Sequence, residues 1–212
     1  MGCGASRKPD CPMRQVFLVR HGSHDRLGRI LCGRMPGVSL SETGRAEAQA
    51  LARSLARRLA GTGAGTLLAS PRDRTAETAA PIAAALGLTV EAEPDLDEIE
   101  TGAWTGRGFD ELAADPLWAA WNAERAAARP PGGESMAEAQ MRVGRVLDRF
   151  AADGAPVILV SHGDVIRAAL LKILGLGLDA YDRIVVDPAS CSELALWPGG
   201  GRVVSINERT AP

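Results

Sequence analysis

The sequence has little of several residue types and patterns that commonly announce a binding function. Its four cysteines are scattered without a Cys-x-x-Cys pair, which excludes the usual zinc-cluster spacing and is typical of a reducing cytoplasm. Acidic residues number 26 and basic residues 24, so a net charge of −2 offers no basic surface for nucleic acid. No apolar run approaches the roughly 20 residues of a membrane span. We therefore expect a cytoplasmic protein that acts on a small molecule, without a nucleic-acid or membrane partner.

The length and composition predict one folded domain after a short leader. The 212 residues, of which 46% are apolar, are enough to bury a full core. We expect residues 1–14 to be a disordered leader and residues 15–212 to form a single domain. Residues 1–6 also match the short myristoylation pattern, and Met13 is an alternative start, but the leader is the interpretation that we favour.

Strand patterns alternate with helical periodicity along the chain, which predicts a three-layer α/β/α sandwich with a mostly parallel central sheet. Ser70 and Pro71 predict the cap and first turn of a helix that reaches about Leu86, and Pro81 predicts a kink or break within it. Residues 107–133 are expected to form a helical insert that carries Trp118 and covers the site. The strands are predicted at residues 16–19, 66–69, 88–93, 157–161, 192–197 and 203–207.

Two of the three histidines follow buried strands and are themselves followed by glycine. One run reads Val-Phe-Leu-Val and ends in Arg20-His21-Gly22, and the other reads Val-Ile-Leu-Val and ends in Ser161-His162-Gly163. Because ligands of open parallel sheets bind at the carboxyl ends of the strands, His21 and His162 are expected to meet over one bound group. His24, in the following loop, is either a solvated residue, which we favour, or a substrate contact.

The residues near these histidines suit a phosphoryl group. A neutral imidazole at position 21 is a nucleophile, and the Arg20 guanidinium offers a planar fork of donors to phosphate oxygens. Arg74 is expected in the first turn of a helix, where a cation is disfavoured unless an anionic ligand accompanies it. The chemistry also needs an acid to protonate a leaving oxygen. Spacing does not choose among the four candidates Asp95, Asp97, Glu98 and Glu100.

Together these residues resemble the phosphoglycerate-mutase-like branch 1 of the histidine phosphatase superfamily, over nearly the whole chain after residue 14. The resemblance rests on Arg20-His21-Gly22, on Ser70-Pro71 through Thr78, and on Val160-Ser161-His162-Gly163. It is extended by Leu40-x-x-x-Gly44, by Leu96-x-Glu98-x-x-x-Gly102-x-Trp104-x-Gly106, and by the Pro131 to Ser135 segment with Arg142.

The resemblance implies a two-step reaction without metal or other cofactor. His21 would take the phosphoryl group, Glu98 would be the proton donor, and Arg20, Arg74 and His162 would bind the phosphoryl oxygens. The family often has other residues at the places of Ser23, His24, Leu27 and Thr105, so substrate identity stays open. Five positions are expected to contact substrate: Gly22, Ser23, His24, Arg34 and Gly163.

We therefore predict a metal-independent phosphatase for a small phosphorylated metabolite. The main alternative is phosphotransfer of the phosphoglycerate mutase type, which we rank lower because only 64 positions separate Glu98 from His162. A non-catalytic phosphate-binding module is a third hypothesis, which we rank below the other two. The carboxyl-terminal strands also offer an edge through which two copies could pair as a homodimer.

Overall fold

The computed structural model describes residues 13–210, so residues 1–12 of the expected leader lie outside the described residues. Arg14 begins the first strand and so is not part of a leader, contrary to the predicted boundary. The strands are β1 Arg14–Arg20, β2 Thr66–Ala69, β3 Val90–Ala92, β4 Val157–Ser161, β5 Cys191–Trp197 and β6 Gly200–Glu208. The helices are α1 Glu42–Arg58, α2 Asp73–Leu86, α3 Phe109–Leu112, α4 Pro116–Ala123, α5 Met136–Arg149 and α6 Gly163–Leu174.

The strands form one sheet in the order β3-β2-β4-β1-β5-β6. The first four of these run parallel, whereas β5 and β6 are added antiparallel at one side. The predicted α/β fold with a mostly parallel sheet is therefore confirmed. The return of the chain to place β4 between β2 and β1 brings the ends of distant segments together at one edge of the sheet.

Side chains of the central strands alternate between two cores, as the pleat of a strand requires. Val16 and Leu18 of β1 face the cluster that contains buried residues of α5 and α6. Phe17 and Val19 face the cluster that contains buried residues of α1 and α2. Helices thus cover both faces of the sheet, which is why these strands are apolar without interruption.

Helix α2 differs from its prediction at its start, near Pro71, and at Pro81. Ser70 does not cap it: α2 begins at Asp73 with Arg72 as its N-cap, and the Ser70 hydroxyl donates to Asp97 Oδ1 instead. Pro81 lies inside α2 and does not break it, because Ala79 and Ile82 on either side are buried against the core. The strand expected over residues 88–93 shortens to β3.

The outer elements frame the cleft and the far edge of the sheet. Helices α3 and α4 lie within the segment expected to be a helical insert. Strand β6 forms the edge of the sheet, with Val204 and Ile206 on its exposed side. The homodimer expected through this edge stays a prediction.

Among residues 13–210, no helix combines the length and apolar character that crossing a membrane requires.

Candidate active site

The register of β1 and β4 brings two histidines together. Arg20 is paired with Ser161 across the parallel strands, so His21 and His162 follow at neighbouring strand ends. Their ring centroids are 5.3 Å apart, and both side chains are almost fully buried. The sheet therefore places these two imidazoles side by side at its carboxyl edge.

The proton positions on His21 follow from its one hydrogen bond. Nδ1 lies 2.8 Å from the carbonyl oxygen of Gly22, and a carbonyl only accepts, so Nδ1 carries the proton. Nε2 then keeps its lone pair. Burial, together with the positive charges of Arg74 and Arg20, holds the pKa of His21 well below its ordinary value. The ring is therefore neutral and nucleophilic at pH 7.

Two guanidiniums beside His21, those of Arg20 and Arg74, have buried donors without partners among the described residues. Arg20 Nη1 donates to the carbonyl oxygen of Val186 at 2.6 Å, but its buried Nε has no partner among the described residues. Arg74 is only 2% exposed, and its Nη2 donates to the carbonyl oxygen of Gly33. Its Nε and Nη1 are buried and have no partner within residues 13–210. Because unpaired buried donors are costly, these three groups are suited to the oxygens of an anionic ligand.

His162 makes two hydrogen bonds to protein groups. Its Nδ1 accepts from Arg74 Nη2 at 3.1 Å, so its proton lies on Nε2, which donates to Ser70 Oγ at 2.7 Å. The Ser70 hydroxyl in turn donates a hydrogen bond to Asp97 Oδ1 at 3.2 Å. Both ring nitrogens are thus engaged, and His162 is absent from the residues that line the cleft. The ring orients Arg74, and its expected contact with phosphoryl oxygens stays a prediction.

The four acidic candidates have different partners. Asp95 binds Arg145, Asp97 binds Arg72, and Glu100 Oε2 lies 3.9 Å from Arg34. Among these acids, only Glu98 lines the cleft.

The environment of Glu98 suits it to carry a proton near neutral pH. Its Oε2 is 3.8 Å from His162 Nδ1, and its Oε1 accepts from the backbone N–H of Ile99 at 2.9 Å. Burial, aided by the negative charge of Asp164, raises the pKa of Glu98 to about 7, although Arg74 opposes this shift.

Two of the expected substrate contacts serve the packing of the chain. The Gly22 N–H donates to Thr78 Oγ1 at 3.0 Å, and a Cβ on Gly22 would come within 2.6 Å of the Gly44 carbonyl oxygen. The absence of a side chain at Gly22 therefore allows a close approach of α1, where we expected that of a ligand. Ser23 bonds Glu47 through both its N–H and its hydroxyl, and it does not line the cleft.

The other three expected substrate contacts, Arg34, His24 and Gly163, lie in different surroundings. Arg34 does not line the cleft: it donates to the Glu98 carbonyl oxygen at 2.7 Å and pairs with Glu134 at 3.0 Å. It therefore supports the acidic loop, and its expected substrate contact stays a prediction. His24 is buried and not solvated as we favoured, with its ring 5.4 Å from that of His21. Gly163 leaves room for Arg20, whose Nε would lie 3.4 Å from a Cβ at that position.

The cleft has a volume of about 140 Å³ and a wall that the sequence only partly predicted. The insert was expected to cover the site, and Trp118 and Trp121 do line it. Arg125 and Asp164, which pair at 3.0 Å, were missed. The sequence could have indicated Asp164 as a cleft residue, since it follows His162-Gly163 directly, but nothing distinguishes Arg125 from the many other arginines.

Within residues 13–210, no group of three or more His, Cys, Asp or Glu side chains is arranged to hold a metal ion.

Comparison with known proteins places the chain among phosphate-handling enzymes. The family model of the histidine phosphatase superfamily (branch 1) matches residues 16–209. "Probable phosphoglycerate mutase GpmB" of Yersinia pestis is 32% identical over 94% of this chain and 94% of its own length.

"Bifunctional protein Rv2228c" of Mycobacterium tuberculosis is 34% identical over 92% of this chain, which spans only 54% of that relative. Among solved structures, the mycobacterial glucosyl-3-phosphoglycerate phosphatase Rv2419c superposes with a TM-score of 0.78 at 27% identity. The superposition covers 92% of this chain and 99% of that one.

Proposed function

This chain belongs to branch 1 of the histidine phosphatase superfamily, and on that basis we propose that it hydrolyses small phosphomonoesters through a phosphohistidine on His21. The observation that carries the proposal is the arrangement of Arg20 and Arg74 donors around a neutral imidazole whose Nε2 is unprotonated. Three of these buried N–H groups have no partner within residues 13–210, and they match the oxygens of a phosphoryl group. The relative and the neighbour named for phosphate-ester chemistry support the same reaction class.

In the first step, His21 Nε2 attacks phosphorus as the bond between phosphorus and the leaving oxygen breaks. Glu98, about half of which is protonated at pH 7, gives its proton to that oxygen, so the product leaves as an alcohol. The phosphorylated ring keeps its Nδ1 proton, which the Gly22 carbonyl oxygen holds. Arg20 and Arg74 stabilise the negative charge on the phosphoryl oxygens throughout the transfer, and removing one such donor costs roughly 10² to 10³ in kcat.

In the second step, the Glu98 carboxylate takes a proton from water, whose oxygen attacks phosphorus while the bond from phosphorus to Nε2 breaks. Inorganic phosphate leaves, His21 regains its lone pair, and Glu98 is protonated again for the next cycle. A pKa near 7 allows the same carboxyl to act as acid and then as base. No step requires a metal ion, and we expect activity to be unchanged by EDTA.

Rapid quenching with ³²P-labelled phosphomonoester tests the proposal. Label should attach as an acid-labile, alkali-stable phosphoramidate, and His21→Ala should lose it. Because the chain has only three histidines, His24→Ala is a matched control that should still be labelled. Turnover by wild-type protein without label on His21 would refute the assignment.

Phosphotransfer between two oxygens of a phosphoglycerate is the second candidate, favoured by the name of the Yersinia relative. Phosphorus NMR of the protein with 3-phosphoglycerate distinguishes the two reactions. Appearance of 2-phosphoglycerate before inorganic phosphate would establish the mutase reaction, whereas phosphate alone is the expected product.

A further inference from the structure

Arg125 is held in place at the end of the cleft that the insert forms. Its guanidinium lies between the rings of Trp121 and Tyr181, 4.3 and 4.0 Å from their centroids, and the side chain is 5% exposed. Its Nη1 donates to Asp164 Oδ2 at 3.0 Å, and its Nη2 donates to Asn122 Oδ1 at 3.1 Å. These contacts fix the guanidinium before any substrate arrives.

One donor of this guanidinium is left over. Arg125 lines the cleft, and its buried Nε has no partner among residues 13–210. A buried N–H group without an acceptor is costly, and an N–H group on a cation binds an anionic oxygen more strongly than a neutral one. The end of the cleft at Arg125 therefore suits one anionic oxygen of a substrate.

The charges around Arg125 favour a substrate group with a single negative charge. Asp164 accepts from Arg125 and, through its other oxygen, from Arg167 at 2.9 Å. Although burial works to raise the pKa of Asp164, the two arginines keep it below its ordinary value, so this carboxyl is ionised at neutral pH. Two guanidiniums thus share one carboxylate, which leaves one positive charge over. A carboxylate on the substrate would neutralise that charge, whereas a second phosphate dianion would exceed it.

Much of the remaining surface of the cleft is an apolar wall. Its residues come from the loop after β1 and from the insert, and they are Leu27, Ile30, Leu31, Phe109, Trp118 and Trp121. The buried Trp104 ring supports this wall, because it lies 5.3 Å from the Trp118 ring. Such a surface favours carbon groups without hydroxyls, since these lose no hydrogen bonds to water when they bind.

We propose that Arg125 is a specificity-determining residue that binds a substrate carboxylate through Nε, and that the cleft takes phosphomonoesters of hydroxy acids with an apolar carbon chain. In this arrangement the phosphoryl group is bound at His21, the carbon chain lies against the apolar wall, and the carboxylate is bound at Arg125. This inference rests on the proposed function and adds a substrate class to it.

Two esters of three-carbon primary alcohols test the inference with the wild-type protein. 3-(Phosphonooxy)propanoate differs from propyl phosphate only by a carboxylate in place of the terminal methyl group. We expect its kcat/KM to be higher by about tenfold to a hundredfold, because it alone supplies an acceptor for Arg125 Nε. Propane-1,3-diyl bisphosphate, with a second phosphate, and 3-phosphoglycerate, with an added hydroxyl, should both be poorer substrates than 3-(phosphonooxy)propanoate.

Hydrolysis of p-nitrophenyl phosphate keeps this test separate from that of the proposed function. If this ester is hydrolysed while 3-(phosphonooxy)propanoate is no better than propyl phosphate, the inference is overturned and the proposed function stands. A bisphosphate or 3-phosphoglycerate that is the better substrate would overturn the assigned substrate class. Failure to hydrolyse any ester would refute the proposed function and this inference with it.

Arg125→Met separates recognition of the carboxylate from a structural role of the side chain. Methionine can still pack between the two aromatic rings, but it has no donor and no charge. We expect the ratio of kcat/KM for 3-(phosphonooxy)propanoate to that for propyl phosphate to fall about tenfold or more, because only the former loses a contact. A purely structural role would lower both values together, so an unchanged ratio would contradict the assignment.

Arg129→Met is the matched control for this variant. Arg129 is 51% exposed, pairs with Glu138 and does not line the cleft, so its replacement should keep the wild-type ratio. Circular dichroism shows whether each variant is folded. If Arg125→Met does not fold, the comparison of the two esters with the wild-type protein decides the inference.

Discussion

The proton positions of the His21 and His162 rings are set by the groups that contact them. The Gly22 carbonyl oxygen fixes the proton of His21 on Nδ1, and Arg74 fixes that of His162 on Nε2. Burial determines which groups are charged, because it lowers the pKa of both imidazoles and raises the pKa of Glu98. The same loss of water thus yields a neutral nucleophile and a protonated acid at one pH.

The alkaline limb of the pH-rate profile should belong to Glu98. Since only its protonated form can supply the leaving oxygen with a proton, kcat/KM for an alkyl phosphate should fall about tenfold per pH unit above about 7. Glu98→Gln should lower the rate by roughly 10² to 10⁴ and remove this limb. Initial rates between pH 5 and 9 measure both effects. A limb of the same midpoint in Glu98→Gln would show that another group is the acid.

Ser70→Ala should disturb His162 and Arg74 without touching the substrate. The substitution leaves the buried His162 Nε2–H without its acceptor, while Arg74 still donates to Nδ1 and keeps the tautomer. We expect kcat/KM to fall about tenfold, and the proton NMR signal of the His162 Nε2–H group to move upfield because its hydrogen bond is lost. Ser39→Ala, at an exposed position, is the control. An unchanged Nε2–H signal in Ser70→Ala would argue against the role of this hydrogen-bond chain.

Among the structural elements, the start of α1 holds the loop that carries His21. A Cβ on Gly44 would lie 1.9 Å from the carbonyl oxygen of Ser23, and one on Gly22 would lie 2.6 Å from the carbonyl oxygen of Gly44. Both obstacles are backbone atoms, which have no rotamer by which to move away. The two glycines therefore let α1 and the segment after β1 pack directly against each other, and this contact helps to position His21.

Gly44→Ala should consequently destabilise the protein, although alanine is the better helix former. The close contact should outweigh the propensity gain of about 1 kcal/mol and leave a net loss of about 1–3 kcal/mol in the free energy of unfolding, with a lower kcat. Urea denaturation and steady-state kinetics provide the two readouts. Gly177→Ala meets nothing within 4 Å and should stay within about 0.5 kcal/mol of wild type. Equal stability of the two variants would disprove the close contact.

At the scale of the whole molecule, the sheet brings four distant chain segments together at the place where we propose an anion site. Strands β1 and β4 bring His21 and His162, α2 brings Arg74, and the loop after β3 brings Glu98. Placing in one cleft two guanidiniums whose buried donors have no partner among residues 13–210 works against stability unless an anion binds. Ligand binding and global stability are therefore linked.

Inorganic phosphate should raise the melting temperature of the protein. At a concentration 100 times its Kd, the stabilisation is about 2.7 kcal/mol, which corresponds to roughly 5–10 °C for a chain of this size. Differential scanning calorimetry with and without phosphate measures the shift. Arg74→Gln should abolish most of it, whereas Arg53→Gln, on the exposed side of α1, should retain it. A wild-type protein indifferent to phosphate would contradict the anion site.

The predictions from the sequence succeeded where the signal is local and failed where packing decides. The apolar strands before His21 and His162 were visible because burial on both faces requires an uninterrupted apolar run. The role of Ser70 was misassigned, since its distance from a helix start resembles a cap but its hydroxyl is used by Asp97. His24 was expected in solvent because a polar, glycine-rich segment carries no sign of its burial beside His21.

The sequence by itself determined the order of strands and helices, the strand ends that carry the histidines, and through family resemblance the choice of Glu98. These properties depend on periodicity and short motifs, which are written within a few consecutive residues. Only the tertiary structure decided the proton on each ring, the pairing of Arg125 with Asp164 and the apolar wall of the cleft. Those features depend on distances between segments far apart in the chain, and such distances are set by how the helices pack on the sheet.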